Sequence, residues 1–170
     1  MEAALAIGVE IEPEQIERID VFTYGLAVFG HDHVEISGVG AAKMSIPYSV
    51  AAAICLHTGG MEAMSDEAVR NQSILALARK VHVIENEAFS ALVPAKRVAE
   101  VEISLNSGQK YCKKVEFPKG EPENPMNEQE LKEKFMQLAM YAGKSEDECL
   151  KIMDCACRLE DSLQELLQLL

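Results

Sequence analysis

Apolar positions along this chain fall into two textures. From Glu12 to Phe117 strand-like and helix-like stretches alternate, whereas from Asn127 to Leu170 the spacing is helical throughout. Ile16 to Tyr24 is rich in β-branched and aromatic residues and predicts a strand, entered through a helical turn begun at Pro13. Gly30 to Gly40 is polar and bounded by glycine, which predicts a loop. Ile46 to His57 is dense in alanine and runs into Thr58-Gly59-Gly60, a helix with a glycine stop. Asp66 to Lys80 predicts a further helix and Val81 to Ile84 a short strand. Ala99, Val101, Ile103 and Leu105 alternate with Glu100, Glu102 and Ser104. Beyond Asn106-Ser107-Gly108 the apolar positions resume at Tyr111, Val115 and Phe117, so this is a hairpin with one wet face. The first half is thus α+β: a two-layer arrangement of a small antiparallel sheet with helices against it.

Pro118 to Pro125 holds three prolines and a glycine, through which neither helix nor strand can continue. The chain therefore divides into an α+β domain over 1–117, a linker over 118–126 and helices over 127–170. Asn127 and Glu130 form a capping box, and Leu131, Phe135, Leu138 and Ala142 follow on one stripe. Gly143-Lys144 ends that helix, and Ser145 with Glu148 starts another. Cys149, Ile152, Ala156, Leu159, Leu163, Leu166 and Leu170 then step by 3, 4, 3, 4, 3 and 4. That is a heptad seam, longer than the preceding helix can cover in an αα-hairpin. Its far end is expected to pack on another domain or subunit.

Composition narrows the function. A hydrophobic fraction of 48% and a charged fraction of 26% suit a folded soluble chain. A net charge of −12 argues against nucleic acid and anionic membranes, which need clustered Lys and Arg. A small anionic substrate stays open, because a few local cations suffice. No apolar run approaches the ~20 residues that cross a bilayer, and the start, with Glu2 and no basic flank, does not read as a signal peptide. Five cysteines without a CxxC pair predict reduced thiols and a cytoplasmic address. Cys155 and Cys157 diverge by roughly 200° on a helix, which favours structural cysteines over a metal pair.

No self-contained catalytic motif of the GxSxG, HExxH, GxxxxGKS or GxGxxG type occurs. His31-Asp32-His33 is the one cluster of ligand-type side chains, but without a third ligand nearby it reads as a loop, solvated or lining a pocket, and no metal site is expected. His57 and His82 read as packing or surface histidines. Lys43, Ser45 and Tyr48 open the alanine-rich helix and admit two readings. In one, Ser45 caps the helix, Pro47 starts it and Tyr48 packs. In the other, backbone N–H groups of the helix start join the Lys43 ammonium and the Tyr48 hydroxyl in an anion-binding cluster. There Tyr48 could also act as a general acid or donate to a developing enolate.

The run Ala42-Lys43-Met44-Ser45-Ile46-Pro47-Tyr48-Ser49-Val50-Ala51 resembles the Ser-x-x-Tyr-x-x-Ala stretch of the MmgE/PrpD family, which includes 2-methylcitrate dehydratase. Pro118-Lys119-Gly120-Glu121-Pro122-Glu123-Asn124-Pro125 is similar to the family's Pro-x-Gly-x-Pro-x-Asn-Pro loop, and Leu77-Ala78-Arg79-Lys80-Val81 is a looser match. The resemblance implies a lid-type α+β domain, a return crossing at the proline loop, and closing helices that belong to a larger helical domain. It implies a C-terminal portion, incomplete as a catalyst without an N-terminal helical domain, acting on a small polycarboxylate by proton abstraction and elimination without metal or cofactor. On that pattern Tyr48 is the catalytic residue, and Lys43 and Ser45 bind substrate. A homodimer is the expected assembly. A non-catalytic interaction or dimerisation module is the alternative from another class. Within the family, isomerase and decarboxylase activities remain open.

Overall fold

A computed structural model describes residues 1–8 and 11–169. Two compact units divide the chain, Met1–Asn124 and Pro125–Leu170. In the first, the elements are α1 (Glu2–Gly8), β1 (Ile16–Thr23), α2 (Gly25–Val28), α3 (Val39–Lys43), α4 (Ile46–Leu56), α5 (Gln72–Ala78), β2 (Val81–Glu85), α6 (Glu87–Ser90), β3 (Ala99–Leu105) and β4 (Lys110–Val115). The strands of the described residues form one four-stranded sheet in the order β2-β1-β3-β4. Alternation decides its faces. Ile19, Val21, Val101 and Ile103 are buried in the core with α1, α4 and α5. The opposite face carries charge, with Arg18 paired to Asp20 at 2.7 Å and Lys110 to Glu102 at 2.6 Å.

The two-layer α+β arrangement holds, with one difference in the sheet. β1 pairs antiparallel with β3, and β3 with β4, but β1 runs parallel to β2, Ile19 opposite Val81. The reason lies in connectivity. Antiparallel neighbours can be joined by a tight turn, whereas the long helical excursion between β1 and β2 returns the chain to the same end of the sheet, as in a βαβ crossover. The order strand, helices, strand was the sequence signal for this, and local alternation does not carry it.

Helix ends differ from expectation for local reasons. α4 stops not at the glycines but at His57, which itself takes the left-handed conformation, φ 52°; histidine tolerates this region better than most side chains. The single helix expected over Asp66 to Lys80 is split into a short 3-10 turn, Ala68–Arg70, and α5. Asn71 divides them because its side-chain oxygen accepts from Ser73 N at 2.9 Å and Ile74 N at 3.4 Å, capping a new helix. The proline loop folds on itself: Gly120, at φ 99°, donates to the Asn124 carbonyl at 2.9 Å, and the Asn124 amide donates to the Phe117 carbonyl. Lys119 N also donates to the Glu2 carboxylate at 3.0 Å, tying the loop to α1.

The second unit is helical: α7 (Glu128–Tyr141), α8 (Glu146–Cys157) and α9 (Leu159–Leu169). Both capping boxes are present with their reciprocal bonds. The heptad seam is not continuous. Arg158, at φ −118° and ψ 36°, interrupts the helix, so the faces of α8 and α9 do not stay in phase. Cys149, Ile152, Cys155 and Ser162 are buried, whereas Ala156, Leu159 and Leu163 are exposed. Leu170 lies outside the described residues. Ser162 Oγ stabilises the interruption by donating toward the carbonyls of Cys155 and Arg158, at 2.7 and 2.6 Å. Cys155 is buried and Cys157 exposed, as their divergence on one helix requires.

Two measurements follow from these packings. Removing the Ser145 cap by Ser145→Ala should cost the second unit about 1 kcal/mol in urea unfolding. Burial, then the Glu14 carboxylate, push the Cys55 thiol from the usual 9.0 up to about 11. The folded state therefore holds this proton longer than the unfolded state, and stability present below pH 9 should decline as pH rises toward 11. Replacing the thiol in Cys55→Ala should remove that part of the slope.

Candidate functional site

The residues singled out in the sequence meet at the start of α4. Ser45 has extended backbone angles and its Oγ accepts from Tyr48 N at 3.1 Å, the N-cap geometry expected of it. Pro47 occupies the second helical position, where a missing N–H costs nothing. Ile46 N donates to the His31 carbonyl at 2.8 Å. All three positions at the head of the helix are thus without a free donor: one is bonded to a loop carbonyl, one has no hydrogen and one is bonded to the cap. An anion meeting this helix start finds no open backbone N–H.

The loop after α2 is stitched onto the same helix start. Ser45 Oγ donates to the His33 carbonyl at 2.6 Å. His33 has Nδ1 3.3 Å from the Gly30 carbonyl and Nε2 3.2 Å from the Ala41 carbonyl. Both ring nitrogens face acceptors, so His33 works as a staple between loop and α3, with no lone pair turned to a ligand. Among the described residues no group of three His, Cys, Asp or Glu side chains is placed to hold a metal ion. His31 differs from His33. Its Nδ1 lies 3.0 Å from the Met44 carbonyl, and no protein group bonds Nε2 among the described residues.

Tyr48 is fully buried within the core, and its hydroxyl donates to the Ala63 carbonyl at 2.7 Å. Desolvation pushes the phenol above its ordinary range, so it remains a donor. Lys43, the last residue of α3, is exposed and makes no ion pair among the described residues. It borders an open cleft of about 190 Å³ lined by His31, Lys43, Met44, Ser45, Ile46 and Ser49. The structure thus brings Lys43 and Ser45 to one cleft and places the Tyr48 hydroxyl inside the core behind it. His31 and Ser49 join the cleft without having been singled out as binding residues. His31 was visible only as half of an HxH pair, and the contact to Met44 that orients it is a tertiary one.

Two cations at another cleft of this unit are neutralised. Lys96 lies 2.6 Å from Glu116 and over the Phe117 ring, and Arg97 lies 3.3 Å from Glu121. The cleft they border, about 200 Å³ with Pro94, Phe117 and Pro122, therefore presents neutralised charge. His57 and His82 are exposed, away from the α4 start. No helix of the described residues is long and apolar enough to cross a membrane.

Residues 1–159 match the family model described as the MmgE/PrpD C-terminal domain. A comparison with curated proteins gave no match.

Ser45 can be tested directly. Ser45→Ala leaves the Tyr48 N–H and the His33 carbonyl without partners, and should lower unfolding free energy by about 2 kcal/mol. A loss below a few tenths of a kcal/mol in chemical denaturation would show that water replaces both bonds.

Proposed function

Because the chain belongs to the MmgE/PrpD family, we propose that its first unit is the lid-type domain of a lyase acting on a small polycarboxylate by proton abstraction and elimination. In this reading the lid works with a helical domain that carries the other wall of the site. The observation that carries it is the cleft at the α4 start, where Lys43 offers an unpaired ammonium beside the capping Ser45. A carboxylate gains most from a cation that is not already neutralised. The acidic overall charge, −12, then matters less than this local donor.

Among the residues expected at the site, Lys43 takes the part of carboxylate anchor. Ser45 holds the helix start and the loop together beneath it. Tyr48 was expected to be catalytic, and its buried phenol would have to release the Ala63 carbonyl to reach a substrate. We therefore give Tyr48 a positioning part: its hydrogen bond locks α4 to the segment around Ala63 and so fixes Ser45 and the cleft.

The test is activity of the chain joined to, or mixed with, a family helical domain, on 2-methylcitrate and related polycarboxylates. Lys43→Ala should raise KM about tenfold or more through the lost charged contact. Tyr48→Phe should reduce stability by about 1–2 kcal/mol and change kcat less than tenfold. A kcat loss of about a hundredfold with stability intact would instead make Tyr48 a direct proton donor. Absence of turnover on every polycarboxylate tried would remove the lyase reading.

A second reading has its own observation. Leu159, Leu163 and Leu167 of α9 are 48%, 51% and 66% exposed, and such a face suits pairing with a second copy of the chain. Sedimentation should then show a concentration-dependent dimer, weakened by Leu163→Lys; a strict monomer at all concentrations removes this reading.

A further inference from the structure

We infer that His31 is a specificity residue, which reads a hydroxyl group on the ligand whose carboxylate Lys43 holds; the inference rests on the polycarboxylate reading of the same cleft. The Met44 carbonyl can only accept, so His31 Nδ1, 3.0 Å away, must carry the hydrogen. In the neutral ring that leaves Nε2 with a lone pair, and no described residue bonds it. Two neighbouring groups with opposite demands therefore share the cleft. The Lys43 ammonium is a donor only and selects an anionic oxygen; His31, which lines the same cleft, offers an acceptor at Nε2 in its neutral form and then selects an O–H.

His33, two residues on, shows why this is particular to His31. Both of its nitrogens face carbonyl oxygens, so it has nothing left to offer a ligand. Ser49, which also lines the cleft, can donate or accept and does not discriminate. A ligand that satisfies the Lys43 and His31 side chains together carries a hydroxyl close to a carboxylate. The cleft is thus suited to a hydroxy polycarboxylate in preference to the unsaturated acid formed when the hydroxyl is lost. An acceptor left unpaired by the dehydrated acid would lower its affinity and favour its release.

Citrate and tricarballylate test this on the full chain, since they share three carboxylates and differ by the hydroxyl. Long-range proton–nitrogen NMR on the unaltered chain should find neutral His31 as the Nδ1–H form, a result that does not depend on any variant folding. Titration followed by NMR should show citrate binding about tenfold more tightly than tricarballylate. His31→Ala should abolish that difference, and Lys43→Ala should weaken both ligands alike. An Nε2–H tautomer, equal affinities in the unaltered chain, a preference that survives His31→Ala, or no binding of either acid would overturn the inference. Its failure is separable from that of the lyase reading: equal binding alongside normal turnover in the reconstituted enzyme overturns only the role of His31. A hydroxyl preference without turnover overturns only the lyase.

Discussion

Helix α4 is buried along most of its length, from Pro47 and Tyr48 through Val50 to Ile54, and a helix start placed in such surroundings must find protein partners for its donors. Most of the architecture around the candidate site answers that demand. Ser45 supplies one partner, the His31 carbonyl another, and Pro47 removes the need for a third. Each partner brings its own segment into place. The loop from His31 to His33 is held over the helix start because its carbonyls are needed there, and the Ser45 hydroxyl returns a bond to the same loop. At the other side, Tyr48 carries its own polar atom into the core and must satisfy it on the Ala63 carbonyl. A single buried helix start thereby organises the loop before it and the segment after it.

The chemistry of the cleft follows from which groups this stitching uses up. Backbone donors and the Ser45 hydroxyl are consumed in holding the structure, and so is the Tyr48 phenol. What is left beside the cleft is Lys43, Ser49 and the ring nitrogen of His31 that no described residue bonds. The same economy applies at the other basic cluster, where Lys96 and Arg97 are neutralised by Glu116 and Glu121. Other cations, Arg79 and Lys113 among them, also make no ion pair among the described residues, so what sets Lys43 apart is its place beside the cleft. Membership of the MmgE/PrpD family gives that cation a substrate class to be tested against.

The second unit shows a different balance. Its capping boxes define helix starts firmly, yet among the described residues of the unit only Cys149, Ile152, Cys155 and Ser162 are buried. A heptad written over Cys149 to Leu170 would give one continuous helix if side-chain period alone ruled. The backbone instead breaks at Arg158, and Ser162 secures the break by bonding back to Cys155 and Arg158. A serine hydroxyl inside a helical stretch competes for backbone carbonyls, and in this chain it holds two short helices where the apolar spacing predicts one long one.

Sequence by itself determined the features whose causes are local. The β-branched run of β1, the alternation in β3 and its hairpin to β4, the two capping boxes, the proline loop and the Ser45 cap are set by residues within a few positions of one another, and each is found where the pattern puts it. The family resemblance was legible for the same reason, being carried by short runs such as Ser45-x-x-Tyr48-x-x-Ala51. Tertiary structure alone decided what depends on distant partners. The parallel β1–β2 pairing follows from where a long connection returns, the burial of Tyr48 from Ala63, and the orientation of His31 from Met44. The α4 start, read first as either a cap or an anion site, is a satisfied cap whose neighbours form the cleft. Sequence spacing shows which donors exist; only the fold shows which are already bonded.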